Sequence, residues 1–181
     1  MKRQVLTLAL VAVVMAAGVM GLAIRALTGD DPPPDTASST APLVADVAAV
    51  AASAAPLEVH RSETCGCCGG HVEHLREAGF EVEEVVHPEG DEVERMKTER
   101  GIPTSMWSCH TTLAAGYAVE GHVPAEAIAA LLSQGPDVDG IALPGMPVGS
   151  PGMDGPQQEP FVLSAFMDGR DAGVFAELPV R

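Results

Sequence analysis

Residues 57–181 predict a small mixed α/β domain in the order β-α-β-α-β-β-α with a C-terminal extension, preceded by one apolar helix and a linker. Three observations carry this. Stretches of period-two and period-3.6 hydrophobicity alternate along the chain. Glycine or proline closes each helical stretch. A run of twenty uncharged residues, 5–24, stands ahead of everything else.

The elements follow in order. "LEVHR" starts a short strand at Leu57, and a cysteine-rich loop comes after it. "GGHVEHLREAG" reads as a helix with Val72 and Leu75 on one face and Gly79 as its stop. "FEVEEVVH", 80–87, alternates apolar and acidic residues and predicts a strand. "GDEVERMKTERG" predicts a second helix, ended by Gly101 and Pro103. "HTTLAAGYAVEG" predicts two strands hinged at Ala115–Gly116. "PAEAIAALLSQG" predicts a third helix, with Pro124 at its start and Gly135 at its end. Residues 160–179 predict a terminal hairpin around Asp168–Gly169, an added edge of the sheet. With cysteines between the first strand and the first helix, this order is the thioredoxin-like plan. In that plan the loop before the third strand, "GIPTSMWSCH", closes over the cysteine loop, so Cys109 and His110 are expected beside the other three cysteines.

Ahead of the domain, Lys2 and Arg3 precede "VLTLALVAVVMAAGVMGLAI". As a helix this run spans ~30 Å, the thickness of a bilayer's hydrocarbon core. It exceeds the ~7–15 apolar residues of an ordinary signal peptide, and no Ala-x-Ala site follows closely. Residues 1–27 therefore read as a signal anchor, with a cleaved signal as the alternative, and the positive flank keeps the remainder exported. Residues 28–56, rich in Pro, Ala, Ser and Thr, read as a tether in which "LVADVAAVAA" forms one or two helical turns. After residue 56, seven Lys and Arg face twenty-one Asp and Glu. Such a surface repels phosphate backbones and excludes nucleic acid as a partner. Aromatic residues make up only 3% of the chain, so the core must rest on Val, Leu, Ile, Ala and Met.

The cysteines hold the chemical interest. Cys65, Cys67 and Cys68 fall within "TCGCCGG", and Cys109 stands some forty residues on, with His110 directly after it. Three readings compete. Four cysteines in an exported chain commonly make two structural disulfides, here Cys65–Cys68 with Cys67–Cys109. Alternatively, Cys65 and Cys68 form a CxxC pair at a helix start, where the dipole favours thiolate, as in a thiol–disulfide oxidoreductase. The interposed Cys67 then offers a competing partner. The third reading is a metal site. Gly66, Gly69 and Gly70 let the backbone fold tightly, and converging thiolates repel one another without a cation. Soft sulfur selects Cu(I) or zinc.

"TCGCCGGHVEHLREAGFEV", "SCHTTLAAGYAVEGHVP" and "GIALPGMPVGSPGM", three blocks in order between residues 57 and 155, resemble the CopG-type family of exported bacterial copper-resistance proteins. The resemblance implies a thioredoxin-like fold and a cysteine-bridged multinuclear copper centre in the periplasm. It further implies a role in interconverting Cu(I) and Cu(II), with copper ions and other periplasmic copper-handling proteins as partners. Carried over by position, Cys65, Cys67 and Cys68 are the CxCC ligands, and Cys109 with His110 is the Ser-Cys-His element. The Gly-Gly-His that follows the CxCC departs from the family's pattern and adds His71 near the site.

Other candidates stand beside this set. His122, at the turn from the fourth strand to the third helix, is placed by the fold plan near the cysteine loop. Met146 and Met153 sit in a Pro/Gly loop too poor in apolar groups to be ordinary core, and thioethers are soft copper ligands. Trp107 is expected to shield the cluster from water. His71 and His74, three apart on a helix, read as solvent-facing. His60 and His87 flank strands and read as chemically idle.

Overall fold

The structure, a computed structural model, describes residues 45–181. The apolar run at 5–24 and the start of the linker lie outside the described residues. Within them, no helix is long and apolar enough to cross a membrane.

The domain is a seven-stranded mixed sheet with helices on both faces. The strands are β1 (Leu57–Ser62), β2 (Val82–His87), β3 (His110–Ala114), β4 (Tyr117–Gly121), β5 (Gly140–Leu143), β6 (Phe161–Met167) and β7 (Arg170–Leu178). Their spatial order is β2-β1-β3-β4-β5-β6-β7. β1 pairs parallel with β2 and β4 parallel with β5, each across a helix; the other neighbours are antiparallel. The helices are α1 (Val47–Ser53), α2 (Gly66–Glu77), α3 (Gly90–Glu99) and α4 (Ala125–Gln134).

The expected β-α-β-α-β-β-α order is present from residue 57. Its punctuation is physical. Gly79 and Gly101, at φ +99° and +67°, end α2 and α3 in a region where a Cβ is costly. The β3–β4 hinge has positive φ at both Ala115 and Gly116, the geometry of a two-residue hairpin turn, and Asp168–Gly169 repeats it between β6 and β7. One element extends the expected order, and the helical turns expected in the linker are present. β5 is a four-residue strand, "GIAL", that carries the sheet from β4 to the terminal hairpin. α1 lies inside the expected linker, capped by the Asp46 carboxylate on the Ala49 N–H, and buries Ala51 in the main core.

Pleating sorts the side chains. Leu57 and Val59 of β1, Ala114, Val119 and Ile141 join Val72 and Leu75 of α2 and Ile128 and Leu131 of α4 in the larger core. The opposite face carries a smaller core of Ile102, Met106, Ala118, Ala142 and Phe166. Trp107 packs against this smaller core and donates from Nε1 to the Ile102 carbonyl at 2.9 Å.

Candidate metal centre

Two chain segments meet at the C-terminal end of β1. The first is the start of α2, with Cys65 as its N-cap residue and Cys67 and Cys68 in its first turn. The second is Cys109, immediately before β3. β3 lies beside β1, so their adjacency closes a sequence gap of more than forty residues. The sulfur of Cys109 lies 3.6 Å from that of Cys68 and 4.0 Å from that of Cys67. Cys67 in turn stands 3.7 Å from Cys65. A disulfide joins Cys65 and Cys68, while Cys67 and Cys109 are free thiols. All four sulfurs lie within 4.8 Å of one another.

Two imidazoles complete the set. His122 Nε2 is 3.0 Å from Cys109 Sγ, and His110 Nδ1 is 3.5 Å from it. Their second nitrogens show which atom carries hydrogen. His122 Nδ1 donates to the Pro151 carbonyl at 2.6 Å, which leaves Nε2 with a lone pair toward the sulfur. His71 Nε2 donates to the Val123 carbonyl at 2.9 Å. His71 Nδ1 must then accept, and takes the Nε2–H of His110 at 2.9 Å. His110 Nδ1 is left as a lone pair facing Cys109. Backbone carbonyls thus fix both tautomers, one directly and one through His71, as outer partners of metal-bound histidines do.

All three rings are fully buried. Burial holds His71 down to about 3, holds His110 well below its ordinary value, and lowers His122. Neutral imidazoles are the form that ligates. Burial, and then the neighbouring Cys67, pushes the Cys109 thiol up to about 12. At neutral pH Cys109 keeps its proton unless a cation replaces it, so metal capture here releases protons.

The Cys109 segment is held from behind. Glu120 Oε1 accepts the Ser108 N–H and lies 2.5 Å from Lys97 Nζ; Lys97 also donates to the Ser108 carbonyl. Thr111 Oγ1 donates to Glu120 Oε2 at 2.6 Å. Lys97 and Glu120 are both buried, a charged pair that clamps the residue before Cys109.

The 144–155 loop approaches the cysteine turn at Gly152. A Cβ on Gly152 would meet the Cys67 carbonyl and the His71 nitrogen, the latter at 2.6 Å; one on Gly70 would stand 2.9 Å from Gly152 Cα. Two glycine backbones therefore touch. Met146 is 40% exposed in a turn at φ +48°. Met153, half-buried, follows Gly152 directly.

Of the residues singled out in the sequence, Cys65, Cys67, Cys68, Cys109, His110 and His122 come together. His71 corrects the sequence reading: it is buried and hydrogen-bonded to His110. His74 is half-buried and accepts the Ala125 N–H at the start of α4. The signal for His71 was present in the spacing. Cys68, His71, Val72 and Leu75 stand at i, i+3, i+4 and i+7, the stripe of a buried helix face.

Four convergent sulfurs and two oriented imidazoles on a mixed sheet define an α/β protein with a thiol-rich site of metal-ligating composition. Two solved structures share its fold. "Copper resistance protein copG- Form 1" is 41% identical at a TM-score of 0.62, over 70% of this chain and 98% of that one. "Copper resistance protein copG- Form 2" is 41% identical at a TM-score of 0.61, over 68% and 98%. The chain belongs to the CopG copper-resistance protein family. The family model described as "Protein of unknown function, DUF411" matches residues 106–153, which hold Cys109, His110, His122 and most of the 144–155 loop. Among curated proteins, none matches the chain.

Proposed function

We propose that this chain binds copper as a cysteine-bridged Cu(I) cluster on Cys65, Cys67, Cys68 and Cys109, flanked by His110 and His122, and serves copper resistance. The observation that carries this is the convergence of four sulfurs with two lone pairs already aimed at Cys109. Six donors exceed what one tetrahedral zinc site uses, whereas thiolates can bridge several Cu(I) ions. The relatives' name, copper resistance protein, points the same way. The reading includes a thioredoxin-like plan, with the cysteine turn capping the helix that follows β1. It also includes a periplasmic location, tethered by residues 5–24, which rests on Lys2, Arg3 and the uncharged run.

The Cys65–Cys68 bond favours a second reading, thiol–disulfide exchange at a helix N-terminus. It also supplies a redox partner for the copper reading. Oxidation of the two thiols forms the S–S bond and releases two protons and two electrons; two Cu(II) ions take one electron each and become Cu(I). In the reverse direction the disulfide takes two electrons from two Cu(I) and two protons from solvent, giving two thiols and two Cu(II).

Anaerobic Cu(I) titration of the reduced protein with metal analysis tests the proposal. The wild type should bind several ions. Cys109→Ser, a hard neutral hydroxyl in place of a soft thiolate, should bind fewer and lower copper tolerance in the host. Full loading and full tolerance in Cys109→Ser would refute the cluster and favour the exchanger.

A further inference from the structure

The geometry points to a second metal site, on the sheet face opposite α2, formed by His60 and His87. β1 and β2 run parallel, with His60 beside Val85 and His87 beside Ser62, so the two histidines are diagonal neighbours on one face. His60 Nε2 is bonded to the Glu58 carboxylate. His87 Nδ1 is 2.9 Å from the carboxylate of Glu92, in the first turn of α3. A carboxylate only accepts, so each of these outer nitrogens carries the hydrogen. The inner nitrogens, His60 Nδ1 and His87 Nε2, lie 3.1 Å apart. That distance suits a shared N–H···N hydrogen bond, which needs one more proton than two neutral rings hold with both outer nitrogens protonated. A cation set to one side of the line between the two nitrogens would take that proton's place.

The donor chemistry selects the ion. Imidazole nitrogen suits borderline divalent metals, Zn²⁺ or Cu²⁺. Two bonds of about 2.0–2.1 Å to nitrogens 3.1 Å apart enclose an angle of about 100°, between square-planar and tetrahedral values. Each ring is oriented by a carboxylate on its far side, the arrangement that raises ligand basicity in metal-bound histidines. Among the described residues, neither Glu58 nor Glu92 is paired with Lys or Arg, so their two charges are available to a dication. The carboxylates are nearly half exposed and the rings less so, at 12% for His60 and 18% for His87, so an ion would enter from the strand edge where the carboxylates stand. None of the cysteines takes part.

Calorimetric titration of Zn²⁺ into the full chain, with ring ¹⁵N NMR of the histidines, tests this. The wild type should bind one equivalent more than His60→Gln or His87→Gln, and the His60 and His87 nitrogens should shift together as Zn²⁺ is added. Glu58→Gln should weaken that equivalent about 10–100-fold, because His60 loses its orienting partner. Cys109→Ser should retain it, so this site and the cysteine cluster fail separately. Equal stoichiometry in the wild type and both histidine variants would overturn the proposal. So would ring nitrogens that respond to pH as a shared N–H···N pair and ignore Zn²⁺.

Discussion

Acid should weaken the metal-free fold, and His71 sets a calculable part of the loss. In the unfolded chain its ring titrates near 6.5. Buried in the folded protein, it is held down to about 3. Its folded pKa lies below its unfolded one, so as pH falls the unfolded chain takes the proton first. Stability is therefore intact above the unfolded value and is lost progressively as pH falls from about 6.5 toward about 3. Between about pH 7 and about pH 5 this one ring should cost about 2 kcal/mol, a large share of a typical 5–15 kcal/mol. His110 and His122 act in the same direction. Burial raises Glu120, which acts in the opposite direction but equally in wild type and variant. Urea unfolding of chelator-treated wild type and His71→Gln at the two pH values isolates the share. The wild type should lose about 2 kcal/mol more than the variant on acidification. Identical pH dependence in the two proteins would refute the assignment of His71 as a buried neutral ring.

Two further outcomes follow from the surroundings of the cysteines. Lys97→Met should leave the buried Glu120 carboxylate unpaired and cost about 3–5 kcal/mol in urea unfolding, while Lys97→Met with Glu120→Leu should recover much of it; a loss under about 1 kcal/mol would contradict the clamp. Gly152→Ala should cost roughly 1–2 kcal/mol from its left-handed backbone alone and lift the loop from the cysteine turn, read as faster alkylation of Cys67; an unchanged rate would mean the loop does not cover that thiol.

The order of elements and the meeting of Cys109 with the CxCC turn were legible in the sequence, because helix stops and hairpin hinges are local signals. Gly79, Gly101, Ala115–Gly116 and Asp168–Gly169 all sit at positive φ, where the sequence reading placed breaks. The rest depends on long-range packing. "GIAL" is too short to announce a strand until β4 and β6 flank it. His71 falls on the apolar stripe of α2, but its polar ring is read as buried only once the Val123 carbonyl and His110 supply partners. Four thiols allow three pairings, and the spacing alone does not choose Cys65–Cys68.

The sulfurs are mounted on two different parts of the molecule. Three stand at the N-terminus of α2, Cys65 as its N-cap and Cys67 and Cys68 in its first turn, and the fourth leads into β3, a strand with neighbours on both sides. An ion shared among them would fasten one layer to the other, as a rivet does. Helix ends fray and central strands hold, so the two mounts differ in how readily they open. Release of such an ion would need only the helical mount to loosen, with Cys109 and its two imidazoles held in register.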